Sequence, residues 1–167
     1  FFTRTLWHRP VSISVNLGSV ALVVRLIFAA LFLRCRGYIY AKVHDKNVYV
    51  NLFMSNSSDL KVGGKSLKLT QSTGYPWDGD VRLDMAPKGK QDFTLKIRVP
   101  GWVRGEVVPS DLYMFSDGKQ LGYSVKVNGE PVESNLDKGY FSITRQWKKG
   151  DVVEVHFDME PRMVKPT

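Results

Sequence analysis

The chain has 167 residues, 43% of them hydrophobic and 12% aromatic, enough to bury the core of one common-sized domain or of two small ones. Its formal charge of +8 is uneven: residues 1–41 hold five arginines and no Lys, Asp or Glu, while the remainder carries 19 basic against 16 acidic residues with the signs interspersed. That distribution excludes a phosphate-tracking basic stripe, so no nucleic-acid partner is expected, and the single cysteine, Cys35, excludes an intrachain disulfide and a cysteine-rich zinc site.

The first 36 residues stand apart. Val20 to Leu33 is apolar except for Arg25. A spanning helix needs about 20 apolar residues, and a central arginine costs roughly 2.5–3.5 kcal/mol on insertion scales, so a membrane anchor is disfavoured. A cleaved signal peptide fits poorly as well, because no small-residue cleavage site precedes Gly37. Cys35 lies between Arg34 and Arg36, a setting that favours the thiolate, but an incidental cysteine is the preferred reading. The chain opens on Phe1 rather than methionine and reads as a piece of a longer protein.

From Gly37 onward the signal is strand after strand. Tyr38–Val43 and Val48–Phe53 are rich in aromatic and β-branched residues around the turn "HDKN", which predicts a hairpin. "SLKLTQST" (66–73) and "VRLDMAP" (81–87) alternate, with the turn "YPWDGD" between them. In "FTLKIRVPGW" (93–102), Phe93, Leu95, Ile97 and Val99 share one face, and Pro100-Gly101 stops the strand. A looser stretch, 103–120, follows. "YSVKVNGEPV" (123–132) folds back at Asn128-Gly129, a type I′ signal. "GYFSITRQW" (139–147) sets Phe141, Ile143, Arg145 and Trp147 on one face, "KKGD" (148–151) turns, and "VVEVHFDME" (152–160) closes the set. No helix is predicted after Gly37. Strands of this length and spacing indicate an all-β, antiparallel β-sandwich region of one or two small domains behind an apolar, helical or disordered N-terminal segment.

No glycine-rich phosphate loop or G-x-S-x-G elbow appears. His8, His44 and His156 are isolated and lack metal-ligand spacing, so no metal site is expected. Asp78, Asp80 and Asp84 gather near Trp77, but Asp78-Gly79 is more simply turn chemistry, with glycine supplying a positive φ. Tyr75, Trp77 and Trp102 are candidates for stacking on a sugar ring; burial of a tryptophan in a sandwich core is the commoner use.

Several motifs in order, "GYIYAK…VYVNLFM", "KLTQSTGYPWDGDVRL", "FTLKIRVPGW", "VKVNGEPV" and "GYFSITRQWKKGDVVEVHFDMEPR", resemble glycoside hydrolase family 127, the β-L-arabinofuranosidase family, from about Gly37 to Arg162. The resemblance implies an (α/α)6 barrel followed by β-sandwich domains. In that barrel a cysteine is the nucleophile, and further cysteines with a glutamate bind zinc. The chain corresponds to the sandwich region alone. A Cys-Cys-Pro motif is expected shortly before "GYIYA"; Cys35 sits too close to the strand and has no partner, so no catalytic residue carries over and no cofactor is expected in this chain. Codons permitted for residues 20–37 can yield "CTCCPSNICRFIPSLPG" when each displaced codon is taken from the third base of one codon and the first two of the next. Residues 1–36 are therefore expected to be a non-homologous leader, readable as the family motif out of frame.

The expected organisation is a leader (1–36), a first β-sandwich part (37–104) and a second (105–167). The leading functional reading is the non-catalytic region of a family 127-like hydrolase, inactive alone, whose partner is a missing upstream barrel. Two alternatives stand beside it: a module that binds arabinose-containing glycans through Tyr75, Trp77 or Trp102, and a membrane-anchored β domain.

Overall fold

Alternation of apolar and polar residues builds two sheets that bury one face each against a shared core. The computed structural model describes residues 37–108 and 111–167. In chain order the strands are β1 (Tyr40–Val43), β2 (Asn47–Val50), β3 (Asn56–Val62), β4 (Lys65–Thr73), β5 (Asp80–Pro87) and β6 (Gln91–Arg98). They continue with β7 (Tyr113–Phe115), β8 (Tyr123–Val127), β9 (Glu130–Pro131), β10 (Leu136–Asp137), β11 (Tyr140–Trp147), β12 (Val152–Phe157) and β13 (Val164–Pro166). One sheet has the order β1-β2-β6-β11-β10, the other β3-β4-β5-β12-β8-β9, and β7 pairs with β13 separately.

The segments 37–104 and 105–167 contribute to both large sheets. β11 lies on β6, and β12 lies between β5 and β8, so the two parts form one sandwich. The predicted inner faces are the buried ones: Phe93, Leu95, Ile97 and Val99 meet Leu67, Leu69, Leu83 and Val155 in a single core. Trp147 is fully buried, donates from Nε1 to the Phe93 carbonyl at 3.0 Å and stacks on the Phe93 ring. Arg145 is the polar member of that inner-facing set, and its guanidinium lies over the Trp147 ring, 5.3 Å from the centroid.

Four features depart from the sequence reading. Gly37–Ile39 are helical, so the first strand starts at Tyr40 rather than Tyr38. β2 and β6 run parallel, because β3, β4 and β5 intervene in the other sheet and return the chain in the same direction. β3, "NSSDLKV", was not expected; it pairs along its whole length with β4 through a Gly63-Gly64 turn, both residues at positive φ. Gly79 does not take a positive φ. Its requirement is space: a Cβ there would collide with the Phe157 carbonyl, and the Gly79 carbonyl accepts from Phe157 N at 3.0 Å.

Asn128 and Gly129 take φ of 54° and 86°, as the type I′ reading requires. Asn128 does more than turn. Its Nδ2 donates to Asp151 Oδ1 at 3.0 Å and its Oδ1 accepts from Val152 N at 2.8 Å. Asp151, fully buried, also accepts from Lys148 N at 2.9 Å. Burial opposes its charge, but the Lys148 and Asn128 donors and the nearby Arg145 and Lys148 cations outweigh that and hold its carboxyl below the usual range.

Asp151→Ala is expected to cost about 2 kcal/mol in urea unfolding, since it strands two donors in a buried turn. Because the folded pKa is depressed, this contribution is complete above the ordinary carboxylate range of about 4 and is lost as pH falls through the folded value, so the gap between native and variant should narrow in acid. Gly79→Ala is expected to cost about 1–3 kcal/mol by the same measurement, because the obstructing atom is backbone and cannot rotate away.

Candidate functional site

Loops at one end of the sandwich bring the sequence-predicted residues together. Tyr75 and Trp77 come from the β4–β5 connection, which is tied down: Tyr75 N donates to Thr73 Oγ1 at 3.0 Å, Trp77 N to the Gly74 carbonyl at 2.9 Å, and Asp80 N to Asp78 Oδ1 at 3.2 Å. The Tyr75–Pro76 bond is cis. Trp102 follows the strand-ending Pro100-Gly101. Its Nε1 donates to Tyr75 Oη at 3.3 Å. The Tyr75 ring packs edge-on against Phe53, and Trp102 edge-on against Phe157, so both half-buried rings extend the core. Trp77 differs: it is 92% exposed.

Two hollows meet at Trp102. One, of about 360 Å³, is lined by Asn51, Phe53, Tyr75, Arg98, Trp102 and Glu106, among others. Arg104 forms a fork with Glu106, both bonds at 2.9 Å, and Tyr140 Oη donates to Asn51 Oδ1 at 2.9 Å. The other, of about 490 Å³, is lined by Trp77, Trp102, Phe115, Met159, Pro161 and Arg162. Tyr75 and Trp102 thus share the first hollow, and Trp77 and Trp102 the second.

Arg162 is the fastening of this end, a residue that sequence reading passed over. Its side chain is 4% exposed, and its guanidinium lies 3.6 Å from the Phe115 ring centroid. It donates to both Asp117 carboxylate oxygens, to the Lys119 carbonyl at 2.6 Å and to the Trp102 carbonyl at 3.4 Å. The Arg162 hydrogen bond lowers the Asp117 carboxyl to about 2.

A third hollow lies on the outer face of β5, β12 and β8, where charges of both signs are interspersed. Arg82 pairs with Asp84 at 3.0 Å and Glu154 at 3.3 Å; His156 faces Asp80 at 2.6 Å and Asp158 at 3.5 Å. Asp78, Asp80 and Asp84 therefore have three separate partners and do not act as a pair. A zinc ion does not fit these side chains: the two nitrogens of His156 face different carboxylates, and no group of three or more His, Cys, Asp or Glu among the described residues is placed to hold a metal. Cys35 and the Val20–Leu33 stretch lie outside the described residues; among those described, no helix is long and apolar enough to cross a membrane.

Replacing Arg162 by Ala should raise the Asp117 carboxyl from about 2 to the ordinary value near 3.9 in an NMR titration, and should speed amide exchange in the β7–β13 pair. The stabilising effect of the pair is present above that ordinary value and is lost as pH falls towards 2. An unmoved Asp117 titration would mean that Arg162 is not what holds it.

The model for the GH127 β-L-arabinofuranosidase middle domain matches residues 47–159. No curated protein sequence matches the chain. Among solved structures, a GH127 β-arabinofuranosidase is 58% identical with a TM-score of 0.74, over 78% of this chain and 20% of its own. A GH127 β-L-arabinofuranosidase from Geobacillus stearothermophilus is 36% identical with a TM-score of 0.62, over 74% of this chain and 17% of its own. A third, described as a glycoside hydrolase, is 32% identical with a TM-score of 0.57, over 74% and 18%. The chain thus spans about a fifth of the length of the structures it matches, and the family model covers most of the described residues: it belongs to the GH127 β-L-arabinofuranosidase family, through its middle β-sandwich domain.

Proposed function

We propose that the chain supplies the accessory β-sandwich of a β-L-arabinofuranosidase that acts on arabinose-containing glycans, and that it does not cleave glycosidic bonds itself. The observation that carries this reading is the match to the middle domain, over only 17–20% of three longer glycoside hydrolases. Cleavage belongs to a separate (α/α)6 barrel, which would contribute the cysteine nucleophile and the zinc site of the resemblance. The sandwich is a rigid support for that barrel. Its two sheets share one continuous core, so the support is a preformed body. Preformed surfaces bind with less ordering cost than flexible ones.

Purified chain incubated with 4-nitrophenyl β-L-arabinofuranoside, with and without added zinc, is expected to release no nitrophenol above the buffer rate. An intact GH127 β-L-arabinofuranosidase serves as the positive control. Zinc-independent or zinc-dependent release by this chain would overturn the proposal.

A further inference from the structure

Of the three hollows, two hold no excess of positive charge. On the outer β5–β12–β8 face the cations Arg82 and Lys126 are outnumbered by Asp78, Asp80 and Glu154, and in the Trp77 groove the Arg162 guanidinium is taken up by Asp117 and two carbonyls. The 360 Å³ pocket between Tyr75, Trp102 and Arg98 is different. Its Arg104 is neutralised by the two bonds to Glu106. Arg98, exposed on the outward side of β6, has no hydrogen-bond or ion-pair partner among the described residues, so the pocket keeps one positive charge. Asn51 spends its Oδ1 on Tyr140, which leaves its Nδ2 donors free. The walls are the rings of Phe53, Tyr75 and Trp102.

We infer that this pocket binds a carboxylate-bearing sugar, a uronic acid residue of a glycan. One unpaired guanidinium matches one planar carboxylate, which it can grip with two parallel bonds. A single positive charge suits a monoanion better than a phosphate dianion. The free amide of Asn51 donates to a hydroxyl or ring oxygen, and aromatic walls accept the apolar face of a sugar ring. The volume is at the lower end of the roughly 300–1,000 Å³ of small-molecule sites, room for one sugar unit rather than a long chain. Tyr75 and Trp102 thus serve as sugar contacts in this pocket, and exposed Trp77 lies outside it. The site is independent of the accessory-domain proposal, since it lies wholly within this chain and its test involves no bond cleavage.

The full chain is titrated with D-galacturonate, with its methyl ester, and with acetate, and tryptophan fluorescence and amide NMR shifts are followed. Galacturonate is expected to give a saturable change centred on residues 98–106. The ester, with the same ring and no charge, should bind at least tenfold more weakly, and acetate should give no saturable change at the same concentrations. Arg98→Gln, an exposed substitution, should weaken galacturonate binding at least tenfold, to the level of the ester, and leave ester binding unchanged. No saturation by galacturonate, equal binding of the ester, equal binding of acetate, or an unaffected Arg98→Gln would each overturn the assignment. Should Arg98→Gln fail to fold, the comparison of acid with ester on the unaltered chain still decides it.

Discussion

The domain depends on the crossing at residues 147–152, where the chain leaves one sheet and enters the other. Trp147 ends β11 and Asp151 precedes β12, and both are fully buried. Each is anchored to the neighbouring strands of its own sheet. Trp147 donates to Phe93 in β6, while the Asp151 carbonyl accepts from Met85 in β5 and its carboxylate holds Asn128 at the tip after β8. Without that crossing β11 could not lie on β6, and β12 could not lie between β5 and β8. A buried carboxylate is costly unless its oxygens are engaged, and here the Lys148 backbone N–H engages one oxygen and the Asn128 amide the other. That makes the turn specific as well as stable: only one register of β8, β11 and β12 satisfies it.

The aromatic end of the sandwich follows from the same core. Phe53, Tyr75, Trp102 and Phe157 form a chain of ring contacts running from the buried interior to the surface. Gly79 permits the loop that carries Tyr75 and Trp77 to lie directly on the backbone of Phe157. Arg162 then binds the carbonyl of Trp102 and the 117–119 turn from the outside. The Tyr75–Trp102 pocket is therefore walled by side chains whose positions are set by core packing on one side and by ion pairing on the other. A pocket built in this way loses little entropy on binding, the condition under which a few polar contacts suffice for recognition.

Much of this was legible in the sequence, for identifiable reasons. Phe93, Leu95, Ile97 and Val99 show their shared face through strict alternation, and Asn128-Gly129 shows its turn because few other pairs tolerate positive φ at both positions. β3 was missed because its first four residues, Asn56 to Asp59, are polar; the following Gly63-Gly64 was the available clue, a two-residue hairpin turn leading into "SLKLT". The parallel pairing of β2 with β6 has no local signature, since it is fixed by strands that pass through the other sheet. Arg162 and Asp117 lie 45 positions apart, and nothing in either neighbourhood announces the pair. The aromatic candidates divided on a property that sequence does not carry: Tyr75 and Trp102 pack on the core, and Trp77 stands in solvent.

Charge shows how composition and structure answer different questions. Beyond residue 41 the chain has only three more basic than acidic residues, which at the level of composition argues against any anionic partner. In the fold several of these charges neutralise one another locally: Arg82 with Asp84 and Glu154, Arg104 with Glu106, Lys96 with Asp137, Arg162 with Asp117. Surface pairs of this kind contribute little to stability, about 0–1 kcal/mol each. Their consequence is selective. Within the pocket Glu106 cancels Arg104 and leaves the guanidinium of Arg98 uncancelled, beside two aromatic rings rather than on an open sheet. A weak net charge can therefore coexist with a strong local preference, because recognition responds to the field inside one small pocket and not to the sum over the molecule.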